Sequence, residues 1–126
     1  MPGAVAPSVK TQALLRYAGR DIGASILGID PHREPRVSAL ATQMRQGSLP
    51  SLYRATNAII LGDRLAEKIG ARLGEKIVVM APGLAGELGT AAFRVRGIFA
   101  TESSSFDGAM VFVTLPAAQR MLGLGD

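Results

Sequence analysis

The sequence predicts an α+β fold: a mostly antiparallel β-sheet or partly closed small barrel with two or three short helices. Three observations predict it. Apolar and polar residues alternate with a period of two in separate runs, the pattern of strands with one buried face. Helical periodicity is confined to short stretches, too few for a doubly wound sheet. The run KIVVMA at 76–81 is apolar and β-branched after its lysine, as suits a strand covered on both faces or closing a small barrel.

Taken in order, Val9, Thr11, Ala13, Leu15 and Tyr17 alternate with Lys10, Gln12, Leu14 and Arg16, a half-buried strand. AGRDIG at 18–23 supplies turn residues and ASILGID at 24–30 the return strand of a hairpin. The period then changes. Pro35 suits a first helical position, Val37, Leu40 and Met44 fall on one face, and Gly47 suits the left-handed C′ position, which predicts a short amphipathic helix. SLPSLYRATN at 48–57 reads as a connection pinned by Leu49, Leu52 and Tyr53.

An apolar run from Ala58 ends at Gly62. Asp63 is placed to cap a two-turn helix in which Leu65 and Ile69 meet at i, i+4, while Arg64, Glu67 and Lys68 face water and Gly70 stops it. After KIVVMA, PGLAGELGTA at 82–91 is a glycine-rich loop. AFRVRGIFA at 92–100 is a strand with Phe93, Val95, Gly97 and Phe99 on one face. TESSSFDG at 101–108 is a polar loop, AMVFVT at 109–114 a strand, and the last helix is capped by Thr114 with Leu115, Ala118 and Leu122 turned inward. No internal repeat is evident.

At 126 residues, 48% hydrophobic and 19% charged, with a mean hydropathy of +0.24, the chain is the size of one domain with one core. Lysine and arginine number 14 against 10 acids, giving a net charge of +4 and an isoelectric point near 10.1. The basic residues Arg16, Arg20, Arg36, Arg54, Arg72, Arg94 and Arg120 are scattered among acids, and with two tyrosines and no tryptophan there is little to stack on bases, so no nucleic-acid partner is expected. The absence of cysteine excludes disulfides, zinc knuckles and thiol nucleophiles. No apolar run approaches the ~18 residues of a membrane span, and the N-terminus lacks a basic segment followed by an apolar signal core.

The chemistry-bearing residues point away from catalysis. Gly62-Asp63 has one glycine where a dinucleotide fingerprint needs three, and no Gly-Lys-Ser/Thr follows, so it reads as an ordinary strand-to-helix cap rather than a phosphate cradle. His32, the only histidine, lies between Asp30 and Glu34 in a turn-like stretch with no second histidine or cysteine to complete a metal site. The serines of ESSSFDG have neither a neighbouring histidine nor a Gly-x-Ser-x-Gly elbow. Nothing in the sequence fixes the separation of Glu87, Glu102 and Asp107, and the chain is poor in the aromatics that line glycoside clefts. No enzyme activity, cofactor or metal is expected. The glycine-rich loop, carrying Leu84, Glu87 and Leu88, is either a hairpin tip or a contact loop for a partner, since loops on rigid strands often carry binding.

Five blocks in order, LGIDP at 27–31, QGSLPSL at 46–52, IILGDRLAEKIGARLGEKIVV at 59–79, FRVRGIF at 93–99 and SFDGAMVFVTLPAAQRML at 105–122, cover most of the chain. Together they resemble the periplasmic core domain of MacB-type ABC transporter permeases, and among these the permeases of the lipoprotein-releasing system. The resemblance implies a parent polypeptide with four membrane spans, at the periplasmic face of the bacterial inner membrane, of which residues 1–126 would be a single-domain fragment of the extracytoplasmic part. It implies a cytoplasmic ATPase subunit and a second permease subunit as partners, and a mechanical role: relaying ATPase-driven motion into release of a lipoprotein. In one of the two lipoprotein-releasing permeases a hairpin between the strands placed at KIVVMA and AFRVRGIF recruits a periplasmic chaperone. Here that segment is only PGLAGELGTA, which does not carry the set of proline, methionine and arginine of such a hook, so no hook residue is carried over. The pattern of GDRLAEKIGARLGEKIVV also suits a stand-alone small swapped-strand barrel that binds a ligand or partner protein, which stays open as the alternative.

Overall fold

The computed structural model describes residues 8–30, 36–55, 57–83 and 86–123. Their order is β1 (Ser8–Tyr17), β2 (Arg20–Ile29), α1 (Arg36–Thr42), β3 (Met44–Gly47), α2 (Pro50–Arg54), β4 (Ala58–Gly62), α3 (Asp63–Ile69), β5 (Lys76–Pro82), β6 (Leu88–Phe99), α4 (Ser104–Asp107), β7 (Met110–Thr114) and α5 (Leu115–Leu122). The strands form one sheet in the order β3-β6-β4-β7-β2-β1-β5, and a further β6–β5 pairing closes six of them into a barrel. Only β2–β7 and β4–β6 are parallel. The α+β fold read from the sequence, a mostly antiparallel sheet or partly closed small barrel, is observed in its barrel form.

The β1–β2 hairpin turns at Ala18 and Gly19, both at positive φ (50° and 80°), the combination that matches the twist of the flanking strands. The turn is thus shorter than AGRDIG suggests, and Arg20 already pairs with Tyr17. Val9, Thr11, Ala13, Leu15 and Tyr17 alternate with more exposed residues as expected, and Ala13 and Leu15 are buried.

The region between β2 and β4 departs from the sequence reading. The helix ends at Thr42, Met44 and Gly47 belong to β3, and Gly47 takes its positive φ of 72° in a strand rather than after a helix. A Cβ on Gly47 would lie 2.0 Å from the Arg96 carbonyl oxygen, so close backbone packing onto β6 is what requires glycine there. Part of the expected connection is the one-turn helix α2, started by Pro50 and held by the buried Leu52. The expected polar loop contains α4, whose Ser103 Oγ accepts from the Phe106 N–H at 3.2 Å. Both helices are single turns, too short to show a period, which is why five helices stand among the described residues where two or three were predicted.

Two hydrophobic clusters result. Inside the barrel lie Leu15, Ile26, Ile59, Leu61, Ile77, Val79, Phe93, Val95, Ile98, Val111 and Val113. Leu65, Ala66 and Ile69 of α3 and Ala117, Ala118, Met121 and Leu122 of α5 join the same cluster. Because β4 and β7 are antiparallel and each feeds its helix directly, α3 and α5 plug opposite ends. Arg20 Nη1 reaches the Lys68 carbonyl at the α3 end, whereas a Cβ on Gly28 would lie 2.7 Å from Ala118 Cβ at the α5 end. On the outer surface Leu27, Ile29, Leu40, Leu49, Leu52, Ile60, Phe99 and Phe112 form a second core.

Phe99 belongs to that outer core, not to the face of Phe93 and Val95. Ile59 pairs with Val95 but Ile60 pairs with Gly97, so Arg96 is an extra residue. Such a bulge shifts the side-chain alternation by one, after which Ile98 points inward and Phe99 outward.

The pairings also contain a two-fold relation that the sequence does not display. Exchanging β4 with β7, β6 with β2 and β5 with β1 leaves every barrel pairing and its sense unchanged. In both halves a helix follows the first strand and ends at a left-handed glycine, Gly70 or Gly123. One half, β4-α3-β5-β6, is continuous; the other takes β7-α5 from the end of the chain and β1-β2 from its start.

Candidate partner-contact surface

The β5–β6 register runs from Lys76 opposite Arg94 to Pro82 opposite Leu88, which makes the two strands a hairpin joined through the glycine-rich segment. The Gly83 N–H donates to the Glu87 carbonyl at 2.8 Å, the Gly86 N–H donates to the Gly83 carbonyl at 3.1 Å, and Gly86 sits at φ 90°. Glu87 is exposed and Leu88 is 61% exposed, the most exposed of the large apolar side chains described. Leu84 lies outside the described residues.

The base of this hairpin rests on the end of α5. A Cβ on Gly89 would lie 2.0 Å from the Met121 carbonyl oxygen, and one on Gly83 would lie 2.9 Å from that of Leu122. Glycine there lets backbone meet backbone, so the exposed tip stands on a packed root. A strip of outward-facing apolar residues continues from it. Ile77, Val79 and Ala81 fill the interior, so Val78 and Met80 face out half-buried, and Leu14, 36% exposed, lies opposite Met80. The signal for this strip was the unbroken apolarity of KIVVMA, whose outward half no described helix buries fully.

An ion pair and a hydrogen-bonded carboxylate flank the strip. Arg16 Nε donates to Asp21 at 2.7 Å across the β1–β2 hairpin, and its bidentate hydrogen bonds hold the Asp21 carboxyl below its ordinary pKa. The Tyr17 hydroxyl donates to Glu75 at 2.5 Å, and the Arg72 N–H donates to the same carboxylate at 2.7 Å. These hydrogen bonds lower the pKa of Glu75, while the bond to Glu75 raises that of Tyr17.

The residues weighed for catalysis do not assemble. At Gly62, a Cβ would lie 2.1 Å from the Asp107 carbonyl oxygen, so α4 occupies the space above the turn that a phosphate would need. Asp63 is the first residue of α3 and makes no side-chain cap; Gly62 holds the cap position. This corrects its assignment as the capping residue. Asp107, 3% exposed, accepts from the Thr101 N–H at 2.9 and 3.0 Å and from Thr101 Oγ1 at 2.7 Å, a loop anchor whose acceptors are engaged. Glu87 sits at the α5 end of the barrel and Asp107 at the α3 end. His32 falls outside the described residues. An apolar groove of about 370 Å³ opens between α1 and α4, lined by Leu40, Phe106 and Phe112.

The sequence profile of the MacB-like periplasmic core domain matches residues 3–125. The chain is 30% identical over 122 residues to the lipoprotein-releasing system transmembrane protein LolC of Xylella fastidiosa, covering 93% of this chain and 29% of that one. It is 40% identical over 79 residues to the protein of the same name from Neisseria meningitidis serogroup B, covering 63% and 19%. Among solved structures, the extracellular domain of the noncanonic ABC-type transporter YknZ from Gram-positive bacteria shares the fold, with a TM-score of 0.60 and 16% identity over 94% of this chain and 57% of that one. The chain therefore spans less than a third of the length of the curated relatives it matches.

Proposed function

This chain belongs to the MacB-like periplasmic core domain family, and from that premise we propose that it relays motion driven by a cytoplasmic ATPase into release of lipoproteins from the inner membrane. The observation that carries the proposal is the match of the family over residues 3–125, joined by the lipoprotein-releasing relatives that align with 93% of the chain. In this account the chain is one part of a longer, multi-pass permease that pairs with a second permease subunit. On the same account it performs no catalysis itself, a reading supported by the commitment of Asp107 to Thr101 and by α4, which fills the Gly62 turn. A closed barrel plugged at both ends is suited to such a role, because a stiff body transmits displacement where a soft one absorbs it.

The loop that carries Leu84, Glu87 and Leu88, of which Glu87 and Leu88 are described and exposed, is with the strip through Met80 and Leu14 the surface proposed to meet a partner. Covering an exposed leucine fully is worth about 1.5–3 kcal/mol. The short tip is not offered as a chaperone hook. Photoreactive residues placed singly at 84, 87 and 88 in the full-length permease test the surface. Capture of a permease, substrate or periplasmic partner at these positions, and not at Lys10, which is also exposed, is the expected result; the same labelling at all of them removes the contact-loop assignment.

A further inference from the structure

Two grooves on the outside of the barrel meet at Ser51 and Arg96. One, about 260 Å³, runs along Gly47, Ser48 and Gly74; the other, about 230 Å³, is lined by Ser51, Arg54, Ala55 and Arg96. No carboxylate lines either of them among the described residues. The carboxylate of Glu75, next to Gly74 in the chain, is taken by Tyr17 and the Arg72 N–H. Other guanidiniums nearby are engaged, Arg94 with the Gly74 carbonyl at 2.6 Å and Arg120 with Asn57 at 3.3 Å. Arg54 and Arg96 have no such partner among the described residues, so two like charges share a small concavity without a counter-charge.

The backbone sets this arrangement with some care. Arg96 is the bulge residue of β6, and bulges re-aim a side chain out of the regular alternation. On the other flank Gly47, at φ 72°, lies directly against the Arg96 carbonyl. The peptide at 96 is therefore held between β3 and β4, while α2 presents Arg54 and Ser51 to the same groove. Ser51 Oγ lies 2.7 Å from Ser48 Oγ, placing a hydroxyl pair beside the two cations.

We infer that this groove is a binding site for an oxyanion of the phosphate class, with Arg96 and Arg54 as the charged forks and Ser51 as a hydroxyl donor. The guanidinium geometry matches two oxygens of one tetrahedral anion, which an ammonium does not. The anion can come from a free phosphate or from a phospholipid headgroup, and the site is independent of the transport role proposed above.

The test is titration of the 126-residue chain with inorganic phosphate, against sodium chloride at equal ionic strength, read from the arginine Nε–H and Ser51 amide resonances. Saturable shifts at Arg54, Arg96 and Ser51 with phosphate alone are expected. Arg96→Gln should weaken binding about tenfold, Arg96→Lys less, and Arg45→Gln, on β3 outside the groove lining, not at all. Arg54→Gln leaves the bulge untouched and should weaken binding as Arg96→Gln does, so a folding defect in the bulge variant cannot mimic the result. Equal shifts in chloride, or equal losses in the Arg45 and Arg96 variants, overturn the inference. Sedimentation with phosphatidylcholine vesicles, with and without phosphatidylglycerol, identifies the source. Phosphatidylglycerol-dependent sedimentation lost in Arg96→Gln assigns a headgroup; phosphate binding without sedimentation assigns the free anion; neither phosphate nor vesicle binding overturns the site.

Discussion

The Tyr17 hydroxyl and the Glu75 carboxylate, 2.5 Å apart, tie the end of β1 to the approach to β5. The hydrogen bond lowers the pKa of Glu75 and raises that of Tyr17, which gives the stability a pH signature at both ends. The contribution from Glu75 is complete above its unfolded value, about 4.3, and is lost as pH falls through the lower folded value. That from Tyr17 is complete below its unfolded value, about 10, and is lost as pH rises through the higher folded value. Tyr17→Phe is therefore expected to be less stable than wild type near neutrality, with the gap closing below pH ~4.3 and above pH ~10 in urea melts; a gap independent of pH would contradict the assignment. Gly62 offers a second test. Its φ of −65° is ordinary, so only space requires glycine, and Gly62→Ala should cost about 1–3 kcal/mol by driving a methyl against the Asp107 carbonyl. Gly23→Ala, with nothing within 4 Å and ordinary φ, should be neutral or slightly stabilising in the same melts. The sequence pointed to Gly62 as a strand-to-helix junction but not to its neighbour. That Asp107 would arrive there depends on a contact across 45 positions, and local pattern carries no information about it.

Elements were legible where a period had room to repeat. β1, β2, β5 and β7 show their alternation or apolar run, and α5 shows its cap: Thr114 Oγ1 accepts from the Ala117 N–H at 3.3 Å. Thr114→Ala should cost about 1 kcal/mol. Leu65 is fully buried in the barrel mouth under α3, and Leu65→Ala should cost about 2–5 kcal/mol, both read from denaturant midpoints. A Leu65 variant as stable as wild type would mean that α3 is not a plug. The failures are equally physical. The bulge at Arg96 has no mark in FRVRGIF, because an extra residue leaves the string of apolar letters intact while turning Phe99 to the other core. The sequence pattern extends helix α1 through Met44, because Met44 fits the helical face as well as it fits the bulged pairing with Phe99 that it makes in β3.

At the scale of the whole molecule, the barrel is two matching halves, one of them split between the two ends of the chain. That split hides the repeat from a linear reading, since the counterpart of β4-α3-β5-β6 is never contiguous. The candidate contact surface was half legible: Glu87 and Leu88 emerge together on the hairpin tip, while the strip through Met80 and Leu14 required knowing which face of β5 turns inward. The central claim is that this barrel couples the work of an ATPase to export without sharing in the hydrolysis. It is tested most directly by reconstituting the full-length permease with its ATPase subunit, with residues 8–123 intact or replaced by a flexible linker, and measuring ATP hydrolysis and lipoprotein release side by side. The account predicts that hydrolysis continues while release falls to background. Release that persists at the intact rate without the barrel would contradict it.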